Sequence, residues 1–344
     1  MSGNHLHTWP LLTAEQVHVD TPTQKDGWKA SYENTVRKKA GNVIYDTTKY
    51  FAQPMSAGTA SVAVTLFLRF YSQKSMVKYH PFVMAVASLF LAGKVNDEPR
   101  SLRSLMFEML KQWYQRENPE LRQRLNEHEK MKNLWNTCVH GESVLLDTLK
   151  FDLNVDILVR VVKQLVRYIP VLHQLRESKN EQAYINICNE IMRYDGTIVL
   201  EYSSNVIALS VCHFIMNRSK HIEMPTDSAD GKPWYVEHGL SVEDCNVLCE
   251  RMVTMYKKMK RLSPTLSNGK RNMMARKPPQ ETIAQRSWAP LSPIESPTKK
   301  QKSDDAVDTG SQPHVPSSQQ IEVIPQVGQG QGEDSDSPEE GEIR

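Results

Sequence analysis

The chain has 344 residues, with 42 Lys+Arg against 40 Asp+Glu and a formal net charge of +2. That balance excludes a strongly basic nucleic-acid binder and an acidic solvating protein. The five cysteines are odd in number, scattered and without a C-x-x-C, which excludes a disulfide-stapled scaffold and a zinc ribbon.

Residues 1–30 read as an N-terminal segment. It opens Met-Ser-Gly-Asn-His-Leu-His, with none of the apolar run of a signal peptide, and holds a capping signature at Thr13-Ala-Glu-Gln16. The hydrophobic period then predicts helices over 31–52, 57–72, 81–96, 101–116 and 131–150, with a charged, exposed connector at 117–130. The longest uncharged stretch, Tyr50 to Leu68, is too polar for a membrane span, and no membrane contact is expected. A second set of helices is predicted over 157–169, 181–195, 203–218 and 241–261, the last behind a second cap at Ser241-Val-Glu-Asp244. Two runs, Val83 to Gly93 and Val206 to Cys212, are apolar on every face and so belong at the centres of bundles. From Ser263 the composition shifts. The last 82 residues hold 10 of the 19 prolines and carry a net charge of −3, which leaves +5 on residues 1–262. Such a tail buries too little apolar surface to offset its ordering entropy. The expected fold is all-α: two tandem five-helix bundles, 31–153 and 154–262, followed by a disordered Pro/Ser-rich tail, 263–344.

Two charges stand on apolar faces. Glu142 falls within a stripe of Met131, Trp135, Cys138, Leu146 and Leu149, and Lys94 continues the face of Val83, Ala87, Phe90 and Leu91. Desolvating an unpartnered charge is expensive. Either the two pair with each other inside the chain, or Lys94 snorkels to water, or both await polar groups of another protein.

The same residues carry a resemblance. Leu89-Phe-Leu-Ala-Gly-Lys-Val95 with Asp97, Glu98 and Pro99 resembles the end of the third helix of a cyclin box, and Glu142 to Leu153 resembles its fifth helix and exit. Arg69-Phe-Tyr71 and Phe82 fit the second and third helices. Trp9-Pro-Leu-Leu-Thr-Ala-Glu-Gln16 and Asp230-Gly-Lys-Pro-Trp-Tyr235 are similar to segments of the transcriptional branch, the cyclin T and cyclin K group. Asn96 and Asp97 stand where the family commonly has adjacent glutamates. The resemblance implies two cyclin boxes and a regulatory, non-catalytic subunit of a protein Ser/Thr kinase. That subunit would activate a nuclear, transcription-elongation cyclin-dependent kinase acting on the C-terminal domain of RNA polymerase II. It further implies that Lys94 and Glu142 hydrogen-bond the kinase beside its C-helix, with Phe90, Phe151 and Leu153 filling the apolar contact. Binding would move the kinase toward its active arrangement. The rival reading is a general transcription factor of the TFIIB type, with the same double fold on promoter DNA; the missing zinc ribbon and the modest charge of the helical part speak against it.

Other signals are weaker. Cys245 and Cys249 share a stripe with Val242, Met252 and Tyr256 and read as core packing, so neither a metal nor a cofactor is expected. The basic run 257–277 reads as a solvated helix end, with weak RNA contact or nuclear import as alternatives. Ser263, Ser292, Ser296 and Ser337 each precede proline and are candidate phosphorylation sites for a proline-directed kinase.

Overall fold

The computed structural model describes residues 9–114, 128–177, 181–219 and 231–262. Every regular element among them is helical, and they contain no strand. The first elements are α1 (Ala14–His18) and α2 (Pro22–Lys25). Thr13 Oγ1 accepts from the Gln16 amide at 3.3 Å while Gln16 Oε1 accepts from the Thr13 amide at 2.9 Å, which closes the expected capping box.

This N-terminal segment is lashed to α3 (Ala30–Thr47) by a buried polar cluster. Glu33 and Arg37, one helical turn apart, pair at 2.7 Å. Arg37 also donates to the Val17 carbonyl at 2.9 Å, and Glu33 accepts from Thr21 and Gln24 at 2.7 and 3.0 Å. Each partner satisfies a charge that would otherwise be desolvated without return. α3 stops at Thr47, five residues before the expected end. Thr48 Oγ1 takes the Tyr45 carbonyl at 2.8 Å, and the chain turns toward Pro54.

The first bundle continues with α4 (Ala57–Gln73), α5 (Pro81–Val95), α6 (Leu102–Tyr114) and α7 (His128–Thr148). α5 is buried from Pro81 through Leu89 and again at Leu91, Ala92 and Gly93, and α3, α4, α6 and α7 all pack on it. It is the central helix that its uniformly apolar sequence demands. Most of the connector expected at 117–130 lies outside the described residues, and positions 128–130 already belong to α7.

The second half comprises α8 (Leu158–Tyr168), α9 (His173–Glu177), α10 (Glu181–Tyr194), α11 (Ile198–Glu201), α12 (Ser204–Arg218) and α13 (Val242–Leu262). α12, with Ile207 through Cys212 buried, takes the place that α5 has in the first bundle and packs on α8, α10, α11 and α13. The expected second cap is present: Ser241 Oγ accepts from the Asp244 amide at 3.0 Å. Two hydrophobic clusters result. One is centred on Phe67, Phe70, Tyr71 and Phe82, the other on Val162, Ile191, Cys212 and Leu248. No helix among the described residues is long and apolar enough to cross a membrane.

The halves meet where α3 contacts α10. Arg193 donates to Asp46 at 2.6 Å and to Asn42 at 3.1 Å across that seam. Gly41 lets the backbones close: a Cβ there would lie 3.1 Å from the Arg193 carbonyl oxygen. The N-terminal segment bridges the seam as well, through Leu12 N to Leu200 O at 2.8 Å and His18 to Glu201 at 3.1 Å.

Candidate functional site

The site grows out of the contact between α5 and α7. Gly141 is buried against α5, and a Cβ at that position would stand 3.0 Å from Val83 Cγ1. With α5 seated there, the buried face of α7 runs through Leu134, Cys138, Gly141, Leu145 and Leu149. The face is rotated relative to the stripe the sequence suggested. Trp135, Glu142 and Leu146 form its half-buried border, and Glu142 is at the edge instead of the middle.

Lys94 occupies the last turn of α5. Its Nζ lies 2.6 Å from Glu142 Oε1, with the two side chains 47% and 17% exposed. The ammonium also sits 4.1 Å from the centroid of the Phe90 ring, a cation–π contact. The internal pair is therefore formed. A pair this exposed contributes only ~0–1 kcal/mol to folding. An ammonium has three donors and a carboxylate two acceptor oxygens, so both ends keep capacity for further hydrogen bonds while paired.

The chain after Lys94 is held firmly. Val95 is exposed, Asp97 adopts a left-handed φ of 57°, and Glu98 folds back so that its amide meets the Gly93 carbonyl at 2.8 Å. The Glu98 carboxylate accepts from the Thr59 hydroxyl at 2.6 Å and the Ser56 amide at 2.8 Å at the start of α4, and Asn96 Nδ2 donates to Thr59 at 3.0 Å. Burial works against the Glu98 charge. The hydrogen bonds from Thr59 and Ser56 outweigh it and hold the carboxyl below its usual range.

The exit of α7 is equally constrained. Lys150 and Phe151 adopt successive left-handed conformations, φ 54° and 60°, and Phe151 donates its amide to Leu146 O at 3.1 Å. The residue is 71% exposed. A large side chain in this backbone region is strained, and here no burial compensates. Leu153 is half-buried against the first core, and Asn154 O accepts from Arg69 Nη1 at 2.9 Å. Arg69 is itself buried on α4, with its guanidinium 5.2 Å from the Trp9 ring.

Phe90, Lys94 and Glu142 are thus brought into one contact set, while Phe151 and Leu153 follow on the exit of the helix that carries Glu142. Glu98 and Arg69 hold the two connections in place, and sequence reasoning gave neither of them that role. A charge within the apolar run Val62 to Tyr71 was the available signal for Arg69. Ser263, Ser292, Ser296 and Ser337 lie outside the described residues, as does most of the basic run 257–277; Lys257 and Lys258 are exposed on α13.

Residues 11–154 match the family described as Cyclin, N-terminal domain. The chain is 26% identical over 257 residues to Cyclin-T1.2 of Caenorhabditis elegans, an alignment covering 74% of this chain and 44% of that protein. It is 27% identical over 251 residues to cyclin pch1 of Schizosaccharomyces pombe, covering 72% and 69%. With Cyclin-T1 of Mus musculus the identity is 26% over 260 residues, covering 74% and 33%. The alignments thus span from a third to about two thirds of these relatives. Among solved structures, a chain of the yeast RNA Pol II CTD kinase CTDK-1 complex shares the fold, with a TM-score of 0.50 at 14% identity over 72% of this chain and 73% of that one. Tandem helical bundles each built around a buried helix, the Lys94–Glu142 pair at the end of the first such helix, and these likenesses agree: residues 11–154 match a cyclin N-terminal domain, and the chain is similar to transcriptional cyclins of the cyclin T group.

Proposed function

We propose that this protein is the regulatory subunit of a transcriptional cyclin-dependent kinase. It binds the kinase through the surface around Lys94 and Glu142 and activates it toward the C-terminal domain of RNA polymerase II in the nucleus. The observation that carries this reading is the Lys94–Glu142 pair. It contributes little to the fold, keeps spare hydrogen-bonding capacity, and stands beside the Phe90 ring and the exposed Val95. Phe151 adds a strained, exposed aromatic at the end of the same helix. A fold that holds such groups in position without using them internally suits a binding surface. The likeness to cyclin T relatives and to a chain of a CTD kinase complex supports the choice of partner.

In this reading the chain performs no chemistry. Its binding energy favours the kinase conformation in which the C-helix glutamate reaches the strand lysine that positions ATP phosphates. The test is capture of the kinase from nuclear extract on the full chain, followed by phosphorylation of a polymerase C-terminal repeat peptide. The wild-type chain should bring down repeat-directed kinase activity, and the Lys94→Ala/Glu142→Ala chain should not. Equal activity on both chains would rule this surface out.

A further inference from the structure

A second constellation lies in the other bundle, on different helices. Cys245 and Cys249 are four positions apart on α13, and His213 projects toward them from α12. The imidazole and the two sulfurs have ligand atoms all within 4.8 Å of one another. Cys245 is buried, while Cys249 and His213 are half-buried. His213 Nδ1 is shielded from solvent and has no hydrogen-bond partner. The imidazole is boxed by aromatics: the Tyr235 ring is 4.9 Å away at 72° and the Trp234 ring 6.5 Å away. The Cys249 thiol and the Tyr235 hydroxyl both hydrogen-bond Cys245 and favour its ionisation, while that same hydrogen bond and burial push the Cys249 thiol up, with the Arg218 charge only partly opposing them.

A buried polar nitrogen without a partner calls for an explanation, and two thiols at its side supply one. In a tetrahedral zinc site, Zn–S of about 2.3 Å and Zn–N of about 2.0–2.1 Å place ligand atoms roughly 3.5–3.8 Å apart. The cluster needs to close by only about 1 Å to meet that geometry, within reach of side-chain rotation. Two thiolates and an imidazole select zinc over the hard, oxygen-preferring magnesium and calcium. We propose that His213, Cys245 and Cys249 form a three-ligand site for a zinc-class ion, which ties α13 to the central helix of its bundle. The fourth position is left to water or to an outside ligand. On binding, the two thiols release their protons to solvent and the imidazole coordinates in its neutral form.

The experiment uses the full chain stripped of metal with a chelator. Zinc is titrated in competition with a chromophoric zinc indicator, and cobalt(II) is added in parallel as a spectroscopic substitute. The expected result is a single equivalent bound, with the ligand-field bands of tetrahedral cobalt and a thiolate-to-metal charge-transfer band. Cys245→Ser/Cys249→Ser and His213→Ala should each weaken binding by more than about 100-fold, beyond the loss typical of outer-shell changes. Absence of stoichiometric binding, or affinity unchanged in these variants, overturns the proposal. A measurement on the unmutated chain guards against variants that fail to fold. Alkylation of Cys249 by iodoacetamide, mapped by mass spectrometry, should slow at least about tenfold when zinc is present. Equal rates with and without zinc also overturn the proposal.

Discussion

At the scale of the residue, Lys94 and Phe151 show how one sequence can satisfy its fold and still present groups outward. A pair exposed like Lys94–Glu142 is nearly neutral for stability, because lost side-chain freedom and solvent screening offset its Coulomb energy. Lys94→Ala and Glu142→Ala should each change unfolding stability by less than about 1 kcal/mol in urea melts. Each should weaken kinase binding by ~2–5 kcal/mol if the partner leaves the remaining group desolvated and unpaired. Phe151 makes the complementary case. Phe151→Gly removes the side chain that strains the left-handed backbone, so the isolated chain should be as stable as wild type or more stable, by up to about 1 kcal/mol. Kinase affinity should fall in the same variant. A loss of stability without a loss of binding would mean that the Phe151 ring serves the fold. Lys94 and Glu142 were legible in the sequence as charges on apolar faces, and Phe151 only through the resemblance to a cyclin box. Their conformations were not, because nothing local announces two successive left-handed residues without a glycine. The His213–Cys245–Cys249 cluster was hidden for a related reason: its histidine lies on another helix, and C-x-x-x-C alone reads as packing.

At the scale of the element, the long helices were legible because burial imposes a period on their sequences. The two central helices were the clearest, since only enclosure explains α5 and α12 being apolar all round. Short elements such as α2, α9 and α11 were not, having too few residues to show a period. Helix ends depend on single side chains, and α5 starts on an unusual one. His80 caps it, its Nδ1 accepting from the Phe82 amide at 3.3 Å, with Pro81 in the first turn. Burial, aided by the charge of Lys39, lowers the His80 pKa from 6.5 to about 4. The folded state therefore binds this proton more weakly than the unfolded chain does. The stability His80 contributes is intact above about pH 6.5 and is lost as the pH falls toward 4, by about 3 kcal/mol. His80→Ser keeps a good cap but does not titrate. Chemical denaturation between pH 7 and 4 should therefore show a flatter decline for the variant. Parallel declines would mean that His80 is not the group responsible.

At the scale of the whole molecule, the two bundles and the N-terminal segment are joined by partly buried charges that no sequence period reveals. Arg251 on α13 donates to both Asp195 oxygens at 2.9 Å and to Glu201 at 2.9 Å. Glu201 in turn meets His18 of the N-terminal segment. Burial opposes the Glu201 charge, and the His18 hydrogen bond and the Arg251 charge overcome it, so the carboxyl stays below its usual range. Arg251→Ala leaves two carboxylates facing each other and should cost ~2–4 kcal/mol. It should also speed amide exchange in α1 and its flanks; unaltered exchange there would show that the segment is held by Glu33 and Arg37 alone. Residues 147 to 183 positions apart in sequence cannot be matched by inspection, so the seam was the least legible part of the fold. The proposed docking surface, in contrast, stands on one bundle and needs no such bridge. Its most direct test is a charge exchange: the affinity of the captured kinase is measured for wild type, Lys94→Glu, Glu142→Lys and the double exchange. The double exchange restores the pair inside this chain but offers the kinase reversed charges. We predict that all three variants bind at least about tenfold more weakly than wild type, the double exchange included. A double exchange that binds like wild type would contradict the account, because the two charges would then matter only to each other.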